Sequence, residues 1–241
     1  VAKQTTRKGG PPAWVRAYDD LRHRILTCAL APGTPISEQG LAKEYGMSPT
    51  PVRDAIQRLR QEGLITRRSA VGFEVAPMTF ADIRQLAELR WAIESAIVTL
   101  AIDRAKPEDV DALRPLAVAS QEPMEGAERV AMNRKFHLAV AELAGNPRLV
   151  TALGQALDSS SRFFHLGIDG LPPDKMTGTH LDILDAIRDR DVEKARDLVE
   201  REAFDNSERV VRALVSGAVS PRGDIYSLVG NVHVTRKGEA G

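Results

Sequence analysis

The sequence predicts a mainly α protein in two parts, an N-terminal winged helix-turn-helix and a C-terminal all-helical antiparallel bundle. Three observations carry that prediction. Residues 41–60, LAKEYGMSPTPVRDAIQRLR, read as a short helix, a glycine turn and a second helix. The run that follows, GLITRRSAVGFEVAP, holds two short apolar stretches around a glycine-bearing turn, as a β-wing does. From residue 79 the apolar spacing is helical almost to the end, with no further strand signal.

Residues 1–13 are polar, basic and punctuated by glycine and proline, the composition of a flexible arm. Val15, Tyr18, Leu21, Ile25 and Cys28 then recur at helical spacing and place a first helix that stops near Ala31-Pro32-Gly33. Residues 32–37 read as a loop, with Ser37 as N-cap of a short helix that turns Leu41 and Ala42 inward. Gly46 supplies the turn. Ser48 stands at the N-cap of the next helix and Pro49 at its first position, where a missing N–H costs nothing. Val52, Ala55, Ile56 and Leu59 form its buried stripe, Arg53, Gln57 and Arg60 project elsewhere, and Gly63 ends it. The wing covers about 64–76, turning near Val71-Gly72, and Pro77 closes a first domain of residues 14–77. Helices are expected near 80–104, 107–121, 126–144, 147–167, 173–189 and 191–216, forming a second domain over 78–216. Residues 217–241 lose the pattern and read as a disordered tail.

A chain of 241 residues has room for two separate cores. Its formal charge of zero divides unevenly: twelve basic against seven acidic residues up to Pro77, and 21 against 26 beyond it. A basic head on an acidic body concentrates affinity for a polyanion in the head. The single cysteine, Cys28, excludes an intramolecular disulfide and fits a reducing compartment. Its place on the apolar face of the first helix makes it a small buried hydrophobe. No apolar run approaches the ~18 residues of a membrane span, and nothing at the N-terminus has the pattern of a signal peptide. A cytoplasmic protein with no membrane partner is expected. Nucleophile elbow, phosphate-binding glycine loop and dinucleotide fingerprint are all missing from the sequence, so no enzyme is expected.

The run LAKEYGMSPTPVRDAIQRLRQEGLI, followed by GFEV from Gly72 and preceded by LRHRILTCALAPGTPISEQGLA, resembles the winged helix-turn-helix of GntR-type bacterial transcription regulators. The helical body resembles the ligand-binding domain of the FadR-like subfamily, the FCD domain. ELRWAIE at 88–94 is similar to its first helix, and NRKFH at 133–137 to its metal-site helix. The resemblance spans roughly residues 14–216. It implies a metabolite-responsive regulator, by default a repressor, that binds palindromic double-stranded operator DNA as a homodimer and senses a small organic acid effector. Two other readings of the body stay open: effector binding without metal, and a purely structural body behind an architectural DNA-binding head.

In a helix-turn-helix the second helix enters the major groove and its N-terminal residues meet base edges. Arg53, one turn in, suits guanine O6 and N7, and the resemblance implies the same role. Ser48 and Thr50 are short hydroxyls suited to phosphate oxygens, although Ser48 has the alternative of serving only as a cap. Gln39 matches a position where relatives contact DNA, often with arginine, so a shorter neutral side chain weakens or shifts that contact. Pro49 stands where many relatives carry arginine, which removes one more. On the wing, Arg67 and Arg68 suit phosphates or a minor groove, or are merely exposed charges, and Gly72 suits the tight turn.

Asn133 and His137 are four apart and point from one helix face. The resemblance implies that Asn133, His137, His180 and Glu202 converge inside the bundle. There relatives hold a divalent metal with one Asp or Asn and three histidines, beside a pocket for an organic acid. This chain departs by placing Glu202 where the last histidine would be, and by offering neutral Asn133 where many relatives have aspartate. Two imidazoles and a carboxylate accommodate zinc, nickel, manganese or iron. Arg90 and Glu94 are also four apart; Arg90 either clamps an effector carboxylate or simply pairs with Glu94. Arg162 has the same two readings.

Overall fold

Helix α1 (Ala13–Leu26) opens the first unit, whose core forms where its Leu21 and Ile25 meet the later helices. The protein is described here from a computed structural model, over residues 11–69, 72–124, 126–165 and 179–215. α1 is shorter than the apolar spacing suggests. Cys28 lies beyond its end with φ at +55°, a left-handed conformation no helical turn contains. The Leu30 N–H reaches back to the Arg24 carbonyl at 2.9 Å and closes the terminus. Cys28 is nonetheless buried, so its expected place on the helix is wrong while its burial is right.

Strand β1 (Pro35–Ile36) occupies residues expected as loop. Two residues offer no alternation to read, so only pairing reveals the strand. Helix α2 (Glu38–Glu44) follows, capped by the Ser37 side chain, which accepts from the Gly40 N–H at 3.1 Å. Gly46, at φ +62°, makes the turn into α3 (Pro49–Gln61). On α3, Val52, Ala55, Ile56 and Leu59 are fully buried, as their spacing requires. The wing is β2 (Ile65–Ser69) and β3 (Gly72–Val75). The antiparallel sheet runs β1-β3-β2, pairing Ile36 with Phe73 and Ile65 with Val75.

The second unit holds α4 (Phe80–Arg104), α5 (Pro107–Asp111), α6 (Arg114–Ala119), α7 (Gly126–Leu143), α8 (Pro147–His165), α9 (Thr179–Arg188) and α10 (Val192–Val215). A capping box between Thr79 and Asp82 starts α4. The single helix expected over 107–121 is two. Pro115 has no N–H to give the Asp111 carbonyl, so the hydrogen-bond ladder stops at Asp111 and restarts at Arg114. α4 packs on α7, α8 and α10 around Ile97, Phe136, Leu153, Ile183 and Leu184. Among the described residues no helix is long and apolar enough to cross a membrane. The first ten residues of the expected arm, the wing turn at 70–71, the helix ends expected over 166–178 and the tail expected over 217–241 lie outside the described residues.

Candidate functional site

The first unit presents the N-terminal turn of α3 to solvent. Ser48, Pro49, Thr50 and Arg53 are all exposed there, with Gln39 exposed on α2. Ser48 occupies the N-cap position, but its side chain makes no cap hydrogen bond, which leaves the hydroxyl available to a phosphate oxygen. Arg53 is held. Its Nε donates to Glu38 Oε2 at 3.0 Å, and its Nη2 lies 3.0 Å from the same oxygen, from α3 across to the first residue of α2. On the wing, Arg67 is exposed, Arg68 lies 3.5 Å from the Glu74 carboxylate, and Gly72 opens β3 opposite Ser69.

The second unit gathers charge in its interior. His137 on α7 has a carboxylate on each ring nitrogen: Glu94 Oε2 lies 2.7 Å from Nδ1 and Glu202 Oε1 2.7 Å from Nε2. Arg90 Nε donates to Glu94 Oε1 at 2.8 Å, and Arg90 Nη2 sits 3.9 Å from Glu202 Oε1. All four side chains are at most 5% exposed. Burial alone would depress the His137 pKa; the Glu202 and Glu94 carboxylates overcome it and hold it up to about 9. Burial pushes Glu202 the other way and loses to His137, whose charge and hydrogen bond keep this carboxyl well below its ordinary range. Glu94 is likewise held low, by Arg90 and His137 against its own burial. Two cations and two anions therefore balance.

His180 on α9 completes the group. Ser120 has one hydroxyl proton, and it goes to the Ala117 carbonyl at 2.6 Å. The Ser120 oxygen, 2.7 Å from His180 Nδ1, must then accept from that nitrogen. The other ring nitrogen, His180 Nε2, then points toward Glu202 Oε1 3.6 Å away. Phe136 stacks on the His180 ring, with centroids 3.9 Å apart, and limits its rotation.

These residues fit a divalent cation. One ligand atom each from His137, His180 and Glu202 lie within 4.8 Å of one another, close to the span of a single ion's ligands. Each histidine has its far nitrogen anchored, His137 to Glu94 and His180 to Ser120, which is how ligating imidazoles are usually oriented. Glu202 Oε2 is buried without a hydrogen-bond partner, a lone pair that metal ligation would satisfy. Asn133 is half-buried one turn before His137 on the same helix. Sequence reasoning missed Ser120 as a participant and took Glu94 only as a partner of Arg90. A serine's role depends on a fold contact sixty residues away and has no local signal.

Beside the cluster, α4, α8 and α10 enclose a small pocket of about 30 Å³, room for one or two waters as it stands. Ile83, Ala87, Phe163, Phe164 and Val210 give it an apolar wall. Arg90 and Asn206 supply polarity, and Arg90 Nη2 is buried without a hydrogen-bond partner. Arg162 is buried on α8, next to Phe163.

Comparison with known proteins agrees with this layout. Residues 14–75 match the bacterial regulatory proteins of the gntR family, and residues 85–202 match the FCD domain. An uncharacterized HTH-type transcriptional regulator in an unstable DNA locus of Streptomyces ambofaciens is 30% identical over 198 residues, covering 80% of this chain and 84% of that protein. The HTH-type transcriptional repressor RspR of Escherichia coli K12 is 28% identical over 192 residues, covering 75% and 81%. The solved structure of E. coli McbR/YncC superposes with a TM-score of 0.69 at 24% identity, covering 85% of this chain and all of that one, a likeness of fold.

Proposed function

Since the chain belongs to the gntR family of bacterial regulatory proteins, carries an FCD domain and is a transcriptional regulator rather than an enzyme, we propose that it is a cytoplasmic, FadR-like repressor that binds a palindromic operator as a homodimer and releases it on sensing a small organic acid. The head reads DNA: Arg53 recognises guanine, Ser48, Thr50 and Gln39 fix the register on the backbone, and Arg67, Arg68 and Gly72 bring the wing to the adjacent groove. A two-fold dimer matches a two-fold operator.

The observation that carries the sensing half is the group of His137, His180 and Glu202, largely buried, beside a mostly apolar pocket that Arg90 helps to line. His137, His180 and Glu202, with Asn133 on the shared face of α7, would hold zinc, nickel, manganese or iron. A metal bound there supplies a Lewis-acidic position for the effector carboxylate. Glu94 and Ser120 hold the two imidazoles in the ligating tautomer. Arg90 receives the carboxylate and Arg162 adds positive potential, while Phe163 and Phe164 exclude water from the acid's carbon body. Effector and operator are thermodynamically linked, so an inducing acid weakens DNA binding by the same free energy that DNA weakens the acid.

A second reading rests on the charge balance. Arg90, His137, Glu94 and Glu202 already neutralise one another, so the bundle stands without metal and Arg90 alone would anchor the acid. One experiment tests both. Operator DNA is selected from a random pool by the purified protein, and short-chain carboxylates are screened for release of the selected duplex with and without added divalent metal. Release only with metal supports the first reading, release regardless supports the second, and failure to select any sequence overturns the regulator mechanism as proposed.

A further inference from the structure

We infer that Glu38 is a positioning residue for base readout: by gripping one edge of the Arg53 guanidinium, it presents the opposite edge to a guanine. The inference rests on the reading of α3 as the DNA-reading helix.

A guanidinium has two useful forks. The side-on fork is formed by Nε–H and one Nη2–H; the end-on fork is formed by Nη1 and the other Nη2–H. Glu38 Oε2 takes the side-on fork, 3.0 Å from both Nε and Nη2. The end-on fork is left, and its two parallel N–H groups can bridge guanine O6 and N7. The Arg53 side chain is 57% exposed while the Glu38 side chain is 22% exposed, so the gripped edge lies on the protein side and the open edge faces out. Glu38 is itself fixed. It is the first residue of α2, set by the Ser37 cap, whose oxygen lies 3.1 Å from the Gly40 nitrogen.

The charge makes the arrangement informative. A carboxylate on the face that meets DNA repels phosphate, and it also cancels the charge of Arg53, so the pair adds little to counterion release. Such a pair costs general affinity and gains direction. Fixing a long, flexible side chain before the encounter lowers the entropy lost when the base contact forms. If the carboxylate served only to hold two helices together, its loss would leave base preference alone. Were it a plain electrostatic penalty, its removal would tighten binding to every sequence alike.

The test compares Glu38→Gln, Glu38→Asp, Arg53→Ala and unaltered protein, each with its fold confirmed by circular dichroism, on the selected operator and on scrambled DNA at two salt concentrations. Glu38→Gln should bind scrambled DNA as tightly or tighter, bind operator more weakly, and so lose roughly tenfold in the ratio of the two. Reselection with it should flatten preference at the same base pair that Arg53→Ala flattens, and Glu38→Asp should recover part of that preference. If Glu38→Gln tightens both DNAs equally, or leaves the Arg53-dependent base pair sharp, the positioning role is overturned while the DNA-reading role of α3 stands. If Arg53→Ala changes no base preference, the reading of α3 itself fails and the positioning role falls with it.

Discussion

His137 Nε2 and Glu202 Oε1 stand 2.7 Å apart inside the helical bundle, with the side chains 3% and 1% exposed. At that distance a proton lies between them, and it occupies the position a metal would use. A metal held here would compete with that proton for one lone pair on the histidine, and its binding would expel the proton.

Metal uptake should accordingly release protons. Isothermal titration of zinc or nickel into chelator-stripped protein, repeated in buffers of different ionisation enthalpy, should show release of about one proton per ion near neutral pH. Ser120→Ala should weaken the ion about 10–100-fold by freeing the His180 ring, although Ser120 is not a ligand. An affinity unaffected by that change would remove Ser120 from the site.

Stability should depend on pH through the same histidine. Its pKa is about 9 in the folded chain against an ordinary 6.5. The folded state thus holds the proton more tightly than the unfolded one. The resulting stabilisation is complete below about 6.5 and drains away as pH rises toward about 9. Melting of the metal-free protein, followed by circular dichroism from pH 6 to 9.5, should show Tm falling across that window. Glu94 and Glu202, both held low, add an acid limb that is lost only as pH drops below their ordinary 4.5. A Tm that is flat or rises between pH 6.5 and 9 contradicts the assignment of an imidazolium to His137.

Removing one partner should cost more than removing a whole network. Glu202→Ala takes one of the two carboxylates from a buried imidazolium and leaves Arg90 less compensated, and should destabilise the metal-free protein by about 3–5 kcal/mol. Urea unfolding measures it. A loss under 1 kcal/mol would mean that water enters the cluster and solvates it.

On the DNA side, Arg53→Ala should cost about 1–3 kcal/mol on the selected operator and flatten one base pair per half-site. Arg67→Ala should instead weaken all DNA evenly and reduce the salt slope by about one. Quantitative gel shifts over a salt series separate the two patterns. Equal behaviour of both substitutions would remove the distinction between base and phosphate roles.

The parts legible in the sequence were those governed by local periodicity. The stripe of Val52, Ala55, Ile56 and Leu59, the turn at Gly46 and the stop at Gly63 each follow from backbone rules that act within a few residues. The split of α5 from α6 was legible too, in Pro115, which cannot give an N–H to a helix interior. β1 was hidden, since a two-residue strand is defined only by its partner. In the bundle, His137, His180 and Glu202 were named through family likeness, and the structure brings those three together. Nothing local pointed to Ser120 meeting the His180 ring on α9, or to Glu38 gripping Arg53. Both are pairings between elements, and a pattern read along one element is blind to them.

The short rung between the residues just before β1 and the end of β3 ties two parts of the head together. Gly33 N–H bonds the Val75 carbonyl and Val75 N–H bonds the Thr34 carbonyl, each at 2.9 Å, a few residues before Ser37 caps α2. The segment that leads into Glu38 and Gln39 is thus hydrogen-bonded to the base of the wing. Changes of length at the tip of the hairpin should be tolerated during divergence, because they leave this rung alone. A one-residue insertion beside Glu74 would swap the faces of β3 and drag the start of α2 with it. A change in the pairing of β3 would therefore reach the start of α2 as well as the wing.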